Sequence, residues 1–94
     1  MTTEVRASHI LVKSEQEAID LSTEIKNGKS FADVAAEKSL CPSGRNGGDL
    51  GFFGRGVMVK PFEEAAFNLE VGELSQPVQT QFGWHLIQVS AIKD

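Results

Sequence analysis

The sequence has a single cysteine, Cys41, so it forms no intramolecular disulfide. Only His9 and His85 accompany it, and no C-x-x-C spacing is present to build a zinc site. No apolar run approaches the roughly 20 residues that a bilayer-spanning helix needs. The opening residues, Met1-Thr2-Thr3-Glu4, lack the basic and apolar regions of a secretory signal. We therefore expect a cytoplasmic protein with a free thiol and no membrane contact. Basic residues are scarce as well: 9 against 13 acidic ones, a net charge of −4. Sequence-independent nucleic-acid binding needs clustered Lys and Arg, so no nucleic-acid partner is expected.

What is present is the composition of a globular domain, 40% apolar and 23% charged. The 94 residues allow one domain over 1–94. Two halves of about 45 residues would each fall near the size at which a core needs metals or disulfides.

Residues 5–12 alternate as a strand does. Val5, Ala7, His9 and Leu11 share one face, and Arg6, Ser8, Ile10 and Val12 the other. Apolar residues on both faces place this strand centrally in its sheet. Ser14-Glu15-Gln16-Glu17 is a capping box, followed at helical spacing by Ala18, Leu21, Ser22 and Ile25 and stopped at Asn27-Gly28. Ser30 opens a second helix with Phe31, Val34 and Ala35 inward. Seven Gly and Pro residues between 42 and 56 break any long helix, leaving a short strand over 49–53. Pro61 suits the first turn of another helix, with Glu63 and Glu64 favoured by its dipole and Phe62, Ala65, Ala66 and Leu69 inward. Residues 70–76 read as a turn around Gly72. A proline-led edge strand over 77–80 follows. Gln81-Phe82-Gly83 reads as a three-residue hairpin loop before a last strand over 84–92. In that strand His85, Ile87, Val89 and Ala91 share one face; Trp84, Leu86, Gln88, Ser90 and Ile92 share the other. The order is not a strict alternation of strand and helix. The fold class is therefore α+β with an antiparallel or mixed sheet.

His9, Cys41 and His85 are the reactive side chains in otherwise apolar surroundings. A histidine among apolar neighbours is commonly a hydrogen-bonded core residue, and a lone cysteine commonly a small buried hydrophobe. Two placements favour chemistry. Cys41 stands at the mouth of the glycine-rich loop, and the histidines lie on strands from opposite chain ends that can pair at the sheet centre. A cysteine hydrolase would use the same residue types, but the chain is short for one and shows no oxyanion hole. A phosphate loop is excluded by the absence of G-x-x-x-x-G-K-[ST].

Five ordered stretches carry a resemblance. They are Ser8-His9-Ile10-Leu11-Val12-Lys13, Ser39-Leu40-Cys41-Pro42-Ser43, Gly47-Gly48-Asp49-Leu50-Gly51-Phe52-Phe53, Gly56-Val57-Met58-Val59-Lys60-Pro61-Phe62 and Gln81-Phe82-Gly83-Trp84-His85-Leu86-Ile87. Together they resemble the parvulin-type peptidyl-prolyl cis/trans isomerases over residues 6–90, in particular the small stand-alone forms of prokaryotes. The resemblance implies a four-stranded, mostly antiparallel sheet wrapped by about four helices, an FKBP-like superfold. It implies paired histidines at His9 and His85 and, at Cys41, a position that is Cys or Asp in the family. It implies a proline-ring pocket of Leu50, Met58 and Phe62, with Phe53, Thr80 and Phe82 at the pocket rim and as histidine support. Phe82 departs from relatives that carry Ser there. The partners implied are X-Pro segments of unfolded or flexible proteins, met by a monomer that needs no cofactor or metal. The alternative is a module that binds X-Pro segments with little turnover. Phosphate-directed members carry an Arg pair after the first strand; here Lys13 is followed by Ser14-Glu15-Gln16-Glu17, a poor anion site.

Overall fold

A computed structural model describes residues 2–94. Along the chain run strand β1 (Glu4–Val12), helices α1 (Glu15–Lys26) and α2 (Phe31–Lys38), a 3₁₀ helix (Pro42–Asn46), strand β2 (Asp49–Gly54), helix α3 (Lys60–Phe67) and strands β3 (Val78–Thr80) and β4 (Gly83–Lys93). The strands form one sheet in the order β2-β1-β4-β3, with every strand pair antiparallel. This is the expected α+β fold with a central β1 and an edge β3. The helix count differs: three α-helices and a 3₁₀ turn stand where about four helices were expected. The fourth is short because Gly44 and Gly47 interrupt the glycine-rich loop, and Gly47 closes it in the left-handed region at φ +72°.

The local signals explain the helices. Ser14 accepts from the Glu17 amide at 3.2 Å and starts α1; Ser30 accepts from the Asp33 amide at 3.4 Å and starts α2. Both helices lie on one sheet face, where Ile10, Val12 and Leu86 meet Ala18, Leu21, Phe31 and Val34. Helix α3 covers the other face, where Val5, Ala7, Ile87 and Val89 meet Phe53, Phe62 and Ala66. It ends at Phe67, so Leu69 lies beyond it. Residues 70–76 do more than turn. Gly72 and Ser75 donate their amides to the Val89 and Ile87 carbonyls, both at 2.8 Å, and so cover the edge of β4 beyond the short β3.

Two bulges change which residues share a face. Leu50 and Phe53 are three residues apart, so in a regular strand they would face opposite sides. Arg6 pairs with Phe52 while Ser8 pairs with Asp49, leaving Leu50 and Gly51 opposite the single Ala7. The extra residue brings Leu50 onto the face of Phe53. Gly51 adopts φ +71° there, and its amide donates to Asp49 Oδ1 at 3.0 Å. On β4, Arg6 pairs with Ala91 but Ala7 with Val89, so Ser90 is extra. Ile92 consequently pairs with Val5 and joins the face of Val89, not that of Leu86 as simple alternation gives. The hairpin is also tighter than expected. Thr80 pairs with Gly83, leaving a two-residue turn, Gln81-Phe82. Gly83, at φ +138°, already belongs to β4, and a Cβ there would stand 2.6 Å from the Val12 carbonyl oxygen.

Candidate functional site

His9 and His85 reach one point from the two central strands. His9 is 6% exposed and His85 4%. Their Nδ1 atoms are 3.0 Å apart, and the ring planes lie within 17° of each other. Outward from this contact, His85 Nε2 is 2.7 Å from Thr80 Oγ1, which accepts the Phe82 amide at 3.2 Å. On the other side, His9 Nε2 is 3.2 Å from Ser43 Oγ, and Ser43 donates to Cys41 Sγ at 3.3 Å. One proton assignment satisfies every atom. Ser43 gives its proton to sulfur and accepts from His9 Nε2–H. His9 Nδ1 then accepts from His85 Nδ1–H, and His85 Nε2 accepts the Thr80 hydroxyl. Burial favours the neutral form of both rings. Burial lowers the pKa of His9, and burial with the nearby His9 ring lowers that of His85 to about 4.

The backbone places these side chains at close quarters. Gly48 accepts the His9 amide at 3.0 Å, and a Cβ on Gly48 would lie 2.3 Å from the His9 carbonyl oxygen. Only glycine allows that approach, here at φ +83°. Where β2 diverges from β1, the Leu40 amide donates to the Leu11 carbonyl at 2.8 Å, and Ser39 Oγ accepts from the Leu11 and Cys41 amides. That seam carries Cys41 alongside His9.

Above the histidines opens a cavity of about 480 Å³. Its walls include Leu50, Met58, Phe62, Phe82 and Cys41, with His9 and His85 at the base. The ring of Phe62 meets both imidazoles edge to face, with centroids 5.5 Å from His9 and 5.2 Å from His85. None of the lining residues is charged, and the polar ones are His9, His85 and Cys41. Two residues expected at the pocket lie behind its lining. Phe53, 4% exposed, is in the core with its ring 6.1 Å from that of Phe62. Thr80 holds His85 from outside the lining. Alternation aims Phe53 at the sheet interior, so it supports the pocket through Phe62.

Leu11, Leu40, Pro42, Val57 and Val59 complete the lining and were not singled out from the sequence. Leu11 had a signal, since it alternates with His9. Ser43 also escaped notice; its clue was its position two residues from Cys41. Leu40, Val57 and Phe82 are 55%, 66% and 62% exposed and form an apolar collar at the mouth. Among the described residues, no helix is long and apolar enough to cross a membrane.

Comparison with known proteins agrees with this geometry. The family model of the PPIC-type PPIase domain matches residues 1–93. The foldase protein PrsA of Halalkalibacterium halodurans is 51% identical over 92 residues, covering 97% of this chain and 28% of the relative. PrsA of Geobacillus kaustophilus is 53% identical over 87 residues, covering 92% of this chain and 31% of that protein. The chain thus spans less than a third of these curated relatives. Among solved structures, the peptidylprolyl isomerase PrsA from Bacillus anthracis superposes with a TM-score of 0.96 at 41% identity, covering 99% of this chain and 43% of that one. The parvulin NmPin of Nitrosopumilus maritimus superposes with a TM-score of 0.87 at 41% identity, and there the match covers 97% of this chain and 99% of the other. The chain belongs to the PPIC-type peptidyl-prolyl isomerase family, the parvulins.

Proposed function

We propose that this chain catalyses cis/trans isomerisation of X-Pro bonds in unfolded or flexible protein segments. The observation that carries the reading is an uncharged apolar cavity closed at its base by a neutral histidine pair. Rotation about the amide crosses a barrier of ~20 kcal/mol and takes tens to hundreds of seconds unaided. The planar amide is charge-separated by resonance; the twisted transition state is less so. An apolar enclosure therefore disfavours the ground state relative to the twisted one. In this reading Leu50, Met58 and Phe62 grip the proline ring and Phe82 flanks it. His9 and His85 shape the base without exchanging a proton with substrate. Cys41 sets an electron-rich sulfur beside the carbonyl, and Thr80 fixes the His85 tautomer. Isomerisation makes and breaks no covalent bond, which suits a site with no charged lining residue. The word foldase in the names of the curated relatives supports protein chains as clients.

The collar of Leu40, Val57 and Phe82 and the lone Lys13 after β1 support a site indifferent to phosphate. The same reading takes the chain as a monomer in a reducing compartment, compatible with its free Cys41. A protease-coupled assay with X-Pro peptides tests the proposal. Acceleration over the spontaneous rate, without gain for phosphoserine before proline, is expected. Peptide binding without acceleration would leave a holding module instead, and a several-fold gain with phosphoserine would overturn the specificity.

A further inference from the structure

The outer wall of the cavity is built on an irregular segment. Val57, Met58 and Val59 line the cavity from the stretch between β2 and α3, which has no regular secondary structure. Gly56 at its start adopts φ +88° with open space around its Cα. Such a segment should be mobile unless something outside it holds both ends.

The Glu63 carboxylate holds one end and the first turn of α3 the other. Glu63 Oε1 accepts the Gly56 amide at 2.6 Å, and the Glu63 amide donates to the Val59 carbonyl at 3.0 Å. Among the described residues these are the hydrogen bonds found for residues 56–59. The second carboxylate oxygen accepts from Arg55 Nη1 at 3.1 Å, and the Arg55 guanidinium lies 4.4 Å from the centre of the Phe67 ring. Phe67 meets Phe53, Phe53 meets Phe62, and Phe62 precedes Glu63 on α3, so the connections close on themselves.

Glu63 is an acid among the buried residues, 9% exposed, in a molecule whose other acids are mostly solvated. A helix dipole explains an acid in the first turns of α3. It does not explain why this acid turns inward and spends one oxygen on a backbone amide four residues before the helix. The Gly56 amide, foremost, with Arg55 also contributing, holds the carboxyl below its ordinary pKa, so the clamp is charged at neutral pH.

We propose that Glu63 is a positioning residue for isomerisation: its carboxylate staples the Gly56 end of the Gly56–Val59 segment to α3, whose first turn holds the Val59 end, and so keeps Met58 against the proline ring. The proposal rests on the isomerase reading of the cavity. It specifies the residue that gives the wall its shape without touching substrate. Binding contacts made by a pre-formed wall are lost when the wall must be ordered at each encounter, so the effect belongs in KM.

The experiment compares wild type with Glu63→Gln, Glu63→Ala, Glu63→Asp and Arg55→Ala. It measures kcat and KM on an X-Pro peptide, amide hydrogen exchange at Gly56, and the midpoint of urea unfolding. Glu63→Gln keeps an acceptor for the Gly56 amide and should stay within about twofold of wild-type KM, as should Arg55→Ala, which removes an exposed side chain paired with Glu63 and Phe67. Glu63→Ala should raise KM about fivefold with kcat nearly unchanged, the signature of lost uniform binding. Gly56 should then exchange at least about tenfold faster. Glu63→Asp keeps the charge on too short a stem and should follow Ala, which preserves the test if Glu63→Ala fails to fold. A wild-type KM with a freely exchanging Gly56 would overturn the proposal, as would a Gln variant no better than Ala. A fall in kcat that merely tracks lost stability would overturn it too. An inactive wild type would instead sink the isomerase reading; in that case, unchanged protection of Gly56 in Glu63→Ala would overturn the staple independently.

Discussion

The neutral histidine pair makes a quantitative prediction about pH. A histidine whose folded-state pKa lies below its unfolded value binds its proton more readily in the unfolded chain. Such a group takes nothing from stability above the unfolded pKa and progressively removes stability as pH falls towards the folded one. For His85 the window runs from the ordinary 6.5 down to about 4. One pKa unit corresponds to about 1.36 kcal/mol, so His85 alone should cost about 2 kcal/mol between pH 7 and pH 5. His9, shifted in the same direction by burial, adds to this. Asp49, held low mainly by its hydrogen bond from Arg6, and Glu63 lose their contributions only below the ordinary carboxylate range, so the interval from pH 7 to 5 isolates the histidines. In a chain of this length 2 kcal/mol is a fall in Tm of roughly 8–15 °C. Urea unfolding followed by the single Trp84, which packs against the α1–α2 side of the core, measures it directly. His85→Gln should remove most of the slope. By contrast kcat/KM, measured where the protein is fully folded, should stay nearly flat from pH 6 to 8 if, as proposed, no proton is transferred. Stability that is level from pH 7 to 5 would refute the neutral buried pair, and a bell-shaped rate profile near neutrality would refute its passive role.

Three further outcomes follow from the same site. Met58→Ala and Phe62→Ala should both lower kcat/KM in the protease-coupled assay; Phe62→Ala should also cost about 3–5 kcal/mol in urea unfolding, since its ring fills the space beside both imidazoles. His9→Leu should lose about 1–3 kcal/mol, the cost of leaving a buried His85 nitrogen unpaired, yet keep measurable activity; a fully stable but inactive variant would restore an acid–base role. Cys41→Asp should retain more activity than Cys41→Ala if, as proposed, the position supplies an electron-rich group beside the carbonyl; the reverse order, or a trapped covalent adduct, would indicate nucleophilic attack.

Much of this was legible in the sequence because local rules and tertiary needs agree there. Ser14 and Ser30 announce their helices, and alternation puts His9 beside Ala7 and His85 beside Ile87 on one face. Legibility ends where the count of residues slips. Simple alternation puts Leu50 and Phe53 on opposite faces, and only the bulge at Gly51 reunites them. A bulge leaves little mark in one sequence beyond a glycine, and this loop has many. The same holds for Ser90, which turns Ile92 to the other side. Phe53 was misplaced for a related reason: its motif neighbours line the cavity, while its own parity sends it into the core. Glu63 carried a helix-dipole explanation that was sufficient locally, and its grip on Gly56 depends on a chain reversal that no spacing rule encodes.

The hydrogen-bonded chain beneath the cavity also explains why polar atoms are tolerated there. A buried polar group without a partner costs about 1–3 kcal/mol. Among the described residues, no buried side-chain nitrogen or oxygen lacks a partner. The assignment given above satisfies these atoms with the donors running one way, from the Phe82 amide through Thr80, His85, His9 and Ser43 to the Cys41 sulfur. A proton on His9 Nδ1 would give the shared contact two Nδ1–H donors, and a proton on His85 Nε2 would meet the Thr80 hydroxyl that this nitrogen accepts. Neutrality and directionality therefore support each other. Sulfur lies at the accepting end. The polar string thus ends at the Cys41 sulfur on the cavity wall, and the apolar walls need no other polar partner for it.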